Sequence, residues 1–140
     1  MVSKVVFLPI KPQYAEKLLS GEKHFEFRRK TFGQHVTHIV VYASSPVKQI
    51  LGIVEIKQIH RDTPSATWQK TFETAGIAKS DFFEYFAGVD TAYAIEIKQR
   101  TKIRLKNAVS PKAIKEDFRV PQFFTYVSEQ FLNSVKEAGL

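Results

Sequence analysis

Lys23, Glu26 and Arg28 stand at spacings of three and two within Gly-Glu-Lys-His-Phe-Glu-Phe-Arg-Arg-Lys, residues 21–30. The set combines an ammonium, a carboxylate and a guanidinium fork. A carboxylate accepts hydrogen bonds from amino groups, as it does from the exocyclic amine of cytosine, while an arginine fork grips a phosphate or a base edge. That mixture suits a polar heterocycle carrying a phosphate. It suits bare phosphate poorly, because the carboxylate repels it. The plainer reading is local: Glu26 neutralises Arg28 or a cation across a strand, for about 0.2–1 kcal/mol.

A second basic feature lies further on. Lys98, Arg100, Lys102, Arg104 and Lys106 fall at every second position. On one strand they would stack at ~7 Å intervals along one side, with Ile103 and Leu105 opposite. Such a row repels itself unless a polyanion lies along it. It also suits a solvated edge strand, and a turn near Gln99 to Thr101 would split it. Other chemistry is missing: there is no phosphate-binding glycine loop, no serine elbow and no His-Glu-x-x-His. His35 and His38, three apart, would face opposite ways on a strand, so no metal is expected there. No cofactor is expected either.

The elements that must position these residues can be read from periodicity. Alternation puts Phe25 and Phe27 on the core side of a strand, with His24, Glu26 and Arg28 facing a cleft. Residues 5–10 form an apolar strand. Residues 11–23 hold a short helix, with Pro12 in its first turn and Gly21 as its stop. Residues 35–43 and 49–59 are strands rich in Val and Ile, joined by the turn residues Ser44, Ser45 and Pro46. Residues 63–88 read as two helices broken near Gly76 and closed by Gly88, the second capped by Ser80 and packed through Phe82, Phe83 and Phe86. Residues 91–100 and 102–109 return to strand. Pro111 opens a short helix and Pro121 a last one, with Phe124, Val127, Phe131 and Val135 as its apolar stripe. This order lacks the regular alternation of a doubly wound sheet. It predicts an α+β fold: a small mixed, mostly antiparallel β-barrel with flanking helices, formed as a single domain by residues 1–140.

Twenty-one Lys and Arg against fourteen Asp and Glu give a net charge of +7 in 140 residues, which favours polyanionic partners. The acidic residues concentrate in 62–90 and are expected to sit away from the basic face. The absence of cysteine excludes disulfides and thiolate metal sites, fitting a reducing compartment. No apolar run reaches the ~18–20 residues of a membrane span. A cytoplasmic protein without membrane association is expected.

The segment from Ile10 to Lys30 resembles the opening of ASCH-domain proteins of the PUA-like superfamily, whose hallmark is a helix followed by G-x-K-x-x-E-x-R. Gly21, Lys23, Glu26 and Arg28 match it. The likeness continues through residues 40–56, 92–97 and 120–127. It implies a PUA-like barrel with a cleft lined by Lys23, Glu26 and Arg28, with Tyr42, Ser44 and Ser45 opposite, that binds nucleic acid, RNA before DNA. Lys11 and Arg29 join the expected nucleic-acid-binding residues, as do Lys102 and Arg104 outside the cleft. A binding module is expected. One branch of the superfamily hydrolyses N4-acetylcytidine with Lys, Thr and Glu; here Lys23 matches, but Glu26 stands at the threonine position. If the protein is an enzyme, an amidohydrolase or ribonuclease, Lys23 and Glu26 are the catalytic candidates, and Glu73 is a tempting second carboxylate. A third reading is a partner-binding module that uses the acidic helices around Trp68.

Overall fold

A computed structural model describes residues 4–140. It contains strands β1 (Lys4–Ile10), β2 (Phe25–Arg28), β3 (Val36–Ala43), β4 (Gln49–Asp62), β5 (Ala92–Ile97), β6 (Ile103–Val109) and β7 (Thr125–Val127). The helices are α1 (Pro12–Ser20), α2 (Pro64–Thr71), α3 (Lys79–Tyr85), α4 (Pro111–Ile114) and α5 (Glu129–Gly139). The strands form one sheet in the order β2-β5-β4-β3-β1-β7, with β6 also on β4. Only β1 and β3 pair in parallel; the other five pairings are antiparallel. The sheet is mixed, mostly antiparallel and barrel-like, without closing into a hydrogen-bonded ring.

β4 explains the curvature. Its first half pairs with β3 and β6, its second half with β5, and register shifts fall at Ile50/Gly52 and Ile56/Gln58. Such irregularities bend a strand and sharpen its twist, letting one long strand serve two halves of a curved sheet. Gly52 sits at the first of them, where a Cβ would lie 2.5 Å from both Ile103 O and a Leu19 methyl. The absence of a side chain lets α1 and β6 close on β4 together.

Three apolar clusters fill the structure. One lies under α1, where Ala15, Leu18 and Leu19 meet Val6, Leu8, Ile39 and Val41. A second, on the opposite side of β1 and β3, joins Phe7, Val40 and Tyr42 to Phe118 and to Phe131, Leu132 and Val135 of α5. The third is aromatic: Phe25 and Phe27 meet Phe82 and Phe86 of α3, the Phe27 and Phe82 rings lying 5.0 Å apart, edge to face.

Two expectations about local structure are corrected. The last helix begins at Glu129 under a Ser128 cap, and residues 125–127 form β7, paired with Val5–Phe7. α3 begins after Ala78, so Ser80 lies inside the helix and caps nothing. The basic row is split by a turn near Gln99 to Thr101, the alternative to a single strand: β5 ends at Ile97 and β6 begins at Ile103.

Candidate functional site

Glycines bring Lys23 into place. Gly21 ends α1 in the left-handed region, φ 90°, and the chain then turns so that Lys23 N–H donates to Lys17 O at 3.0 Å. Segment 74–76 receives it: His24 N–H donates to Thr74 O at 2.9 Å, and Lys23 Nζ donates to Ala75 O at 2.6 Å. Gly76, φ 64°, carries no Cβ where one would lie 2.5 Å from Lys23 Cβ. The ammonium lies 4.5 Å from the Phe27 ring centroid and 5.2 Å from that of Tyr14, so two aromatic faces share its charge. Lys23 is 2% exposed. Burial lowers its pKa to about 8; Glu26 opposes the shift, while Lys17 and Arg28 add to it.

β2 turns its other side to Glu26 and Arg28. Arg28 Nε donates to Glu26 Oε2 at 2.8 Å, and its Nη2 lies 2.7 Å from the same oxygen. Nη2 also donates to Pro9 O at 2.9 Å, tying β2 to the end of β1. Both Arg28 contacts use Oε2, and among the described residues no side chain or amide donates to Glu26 Oε1. Glu26 is 6% exposed, as buried as Phe27, yet it faces a pocket.

That pocket, about 680 Å³, is floored by Lys23, Glu26, Phe27 and Arg28. Pro9, Ile10, Lys11 and Gln13 form one wall with Tyr14, and Arg29 stands at the rim. Ile77, Asp81, Glu84 and Tyr85 close the far side. Burial is the main cause that raises the pKa of both Tyr14 and Tyr85, so both stay phenols at neutral pH.

The pocket therefore gathers Lys11, Lys23, Glu26, Arg28 and Arg29 from the expected set. Tyr42, Ser44 and Ser45 do not line it. Tyr42 points into the second cluster, its ring 5.0 Å from that of Phe7. Ser44 N–H donates to Ile10 O at 2.9 Å in the turn after β3, and Ser45 is exposed beside it. Lys102 and Arg104 also lie elsewhere: Lys102 Nζ donates to Gln99 O at 3.1 Å, and Arg104 forks onto both oxygens of Glu16. Lys98 is paired as well, with Glu55. Two of the five cations in the row are thus neutralised within the protein.

The acidic segment does not stand apart from the basic face, as charge clustering had suggested. α3 places Asp81 and Glu84 on the pocket wall, so four cations share it with three carboxylates. Glu73 is exposed and outside the pocket. Trp68 packs on Phe82, rings 5.0 Å apart, as part of the aromatic cluster. Tyr14, Asp81, Glu84 and Tyr85 are the residues sequence reading missed. Among the described residues, no group of three or more His, Asp or Glu is placed to hold a metal ion, and no helix is long and apolar enough to cross a membrane.

Comparison with known proteins bears on the fold and the family. A curated relative, the ASCH domain-containing ribonuclease of Zymomonas mobilis, is 27% identical over 128 residues, 91% of this chain and 86% of that one. A crystal structure of ASCH from Zymomonas mobilis shares the fold at a TM-score of 0.86 and 23% identity, covering 98% of this chain and 96% of that chain. More distantly, the YTH domain of Zygosaccharomyces rouxii MRB1 protein, solved with N6-methyladenosine RNA, matches at a TM-score of 0.50 and 9% identity over 97% of this chain and 86% of that chain. The family model for the ASCH domain matches residues 8–115, containing α1, the whole Lys23–Arg28 floor and the α3 wall, and on that match the chain belongs to the ASCH domain family.

Proposed function

We propose that this chain binds single-stranded RNA and seats one nucleotide in the pocket between α1, β2 and α3. The observation that carries this reading is Glu26 Oε1. It is a charged acceptor on a pocket floor, fixed by Arg28 through the other oxygen and left without a partner inside the protein. An acceptor that faces the pocket with no donor inside the protein is open to one from a ligand, and an exocyclic amine on a base would supply it. A volume of about 680 Å³ lies in the range of small-molecule sites. Three carboxylates among the lining residues disfavour a phosphate deep inside, so the base enters and the backbone stays at the Lys11 and Arg29 rim. The ribonuclease name of the Zymomonas relative and the RNA bound to the YTH domain support RNA as the polymer.

Glu26→Gln tests it, at pH 6.5 where Lys23 stays protonated. The amide replaces a charged acceptor, so affinity for the preferred nucleotide falls by about 1–3 kcal/mol. Affinity for bulk polyanion stays level or rises, since one negative charge has gone. If all polyanions instead bind more tightly alike, preferred nucleotide included, Glu26 is only a local counter-charge and the reading fails.

A second reading has its own observation. A lysine with a pKa of about 8 is about one-tenth neutral amine at pH 7, enough to take a proton. Beside Glu26 it would act as a general base on RNA, and the pocket would belong to a ribonuclease. Turnover of a labelled oligonucleotide that rises with an apparent pKa near 8 and is lost in Lys23→Met supports this reading. No turnover leaves a binding module.

A further inference from the structure

Phe123 is 68% exposed, the most exposed of the large hydrophobic side chains among the described residues. Its neighbour Phe124 is turned inward, its ring 5.0 Å from Phe32 and 5.5 Å from Tyr126, so the segment is anchored while Phe123 is held out. Phe123 itself makes no ring contact among the described residues.

The register of β7 says where it is held. Val127, Tyr126 and Thr125 pair with Val5, Val6 and Phe7 in antiparallel sense. The pairing ends at Thr125 and Phe7, and the chain before it bends at 122–123; β1 itself continues from Phe7 to Pro9, which lines the pocket and accepts the Arg28 bond. The loop that Phe124 clamps through Phe32 leaves β2 at Arg28 and carries Arg29 and Lys30. Both are exposed, and neither joins an ion pair among the described residues, unlike Lys98 and Arg104. Glu116 and Asp117 balance Lys115 and Arg119 in the preceding segment, so the unbalanced charge near Phe123 is on the Arg29–Lys30 side. An outward aromatic ring on a segment packed against the loop that carries these cations, one of which lines the pocket, combines the two components of a single-strand binding surface.

We infer that Phe123 is a stacking platform for the base next to the one seated in the pocket, with Arg29 and Lys30 holding the phosphate between them. The inference rests on the RNA reading given above and adds a second, sequence-tolerant subsite to it. Stacking accepts any base, because every base has a π-face.

The experiment compares two probes on the wild type, Phe123→Ala and Phe123→Tyr. One is a fluorescein-labelled eight-nucleotide RNA, checked for integrity after each titration. The other is a set of nucleoside monophosphates measured by calorimetry. Phe123→Ala is expected to weaken octanucleotide binding about 5- to 150-fold, the range for losing one base–aromatic stack. Monophosphate binding is expected to be unchanged, and Phe123→Tyr to restore the octanucleotide. Unchanged octanucleotide affinity in Phe123→Ala overturns the platform and leaves the pocket reading standing. Equal loss on both probes also overturns it, since the effect then reaches the pocket. A fall in the sedimentation mass of the free protein on Phe123→Ala makes the ring a self-association contact and overturns it too. If the wild type binds neither probe, the RNA reading fails and the platform with it.

Discussion

Replacing Lys23 by methionine should remove a pH dependence from the stability of this fold, and its size can be worked out. Lys23 is 2% exposed and its pKa falls, chiefly through burial, from an ordinary 10.5 to about 8. The folded-state value lies below the unfolded one, so between pH ~8 and ~10.5 the unfolded chain binds more protons. Stability therefore rises with pH across that window. At about 1.4 kcal/mol per pH unit, the buried ammonium costs about 3 kcal/mol at pH 7 and about 1.5 at pH 9.5. The wild type should gain about 2 kcal/mol between those values, and the methionine variant should not. Losing the bond to Ala75 O costs about 1–2 kcal/mol at either pH, so the variant is more stable than wild type by about 1–2 kcal/mol at pH 7 and near neutral at 9.5. Urea midpoints of both proteins from pH 7 to 9.5 give the comparison. Taking their difference cancels other titrating groups, including Tyr14 and Tyr85, whose pKa values are raised from 10.0. Parallel curves for the two proteins would refute the reasoning: Lys23 would then titrate as it does in the unfolded chain.

Other perturbations test neighbouring parts of the structure. Gly76→Ala places a Cβ against Lys23 Cβ at a φ of 64°, so thermal unfolding should show a loss of about 1–3 kcal/mol, with weaker nucleotide binding as Lys23 shifts. Replacing Lys102 and Arg104 together by Ala should flatten the slope of log K against log salt by about one and no more, because Glu16 already occupies Arg104. A change of two would show that RNA displaces Glu16; no change would make the former row a solvated face.

What the sequence disclosed follows the range of the interactions. β2 was legible because two-residue alternation is local, and Phe25 and Phe27 are indeed buried while Glu26 and Arg28 reach the pocket. α1 was legible from Pro12 and Gly21 for the same reason. β7 was not. Pro121 and the spacing of Phe124, Val127, Phe131 and Val135 imitate a helix, and what makes 125–127 a strand is the edge of β1, some 120 residues earlier. The inward turn of Tyr42 was hidden too. β3 is apolar along nearly its whole length and covered on both sides, so its pattern names no face for Tyr42. Glu16 opposite Arg104 and α3 over β2 are likewise pairings across the fold that no window of sequence contains.

These long-range placements decide how the site should be understood. Local charge patterning suggested a cationic cleft with acids elsewhere. The folded chain instead brings Asp81 and Glu84 across from Arg28, and buries an ammonium over two aromatic rings. The net balance at Lys23 does not favour stability at neutral pH. Methionine at 23 would avoid the desolvation cost, and a non-glycine at 76 would be the default were Lys23 not pressed against it. A buried lysine with a lowered pKa and a carboxylate oxygen without an internal donor meet in one pocket, and the left-handed Gly76 stands against that lysine. Structures keep such conflicts where a ligand resolves them. A base amine at Glu26 Oε1 would supply a donor, and a phosphate at the Lys11–Arg29 rim would use cations that join no ion pair among the described residues. The same ligand thus settles both imbalances.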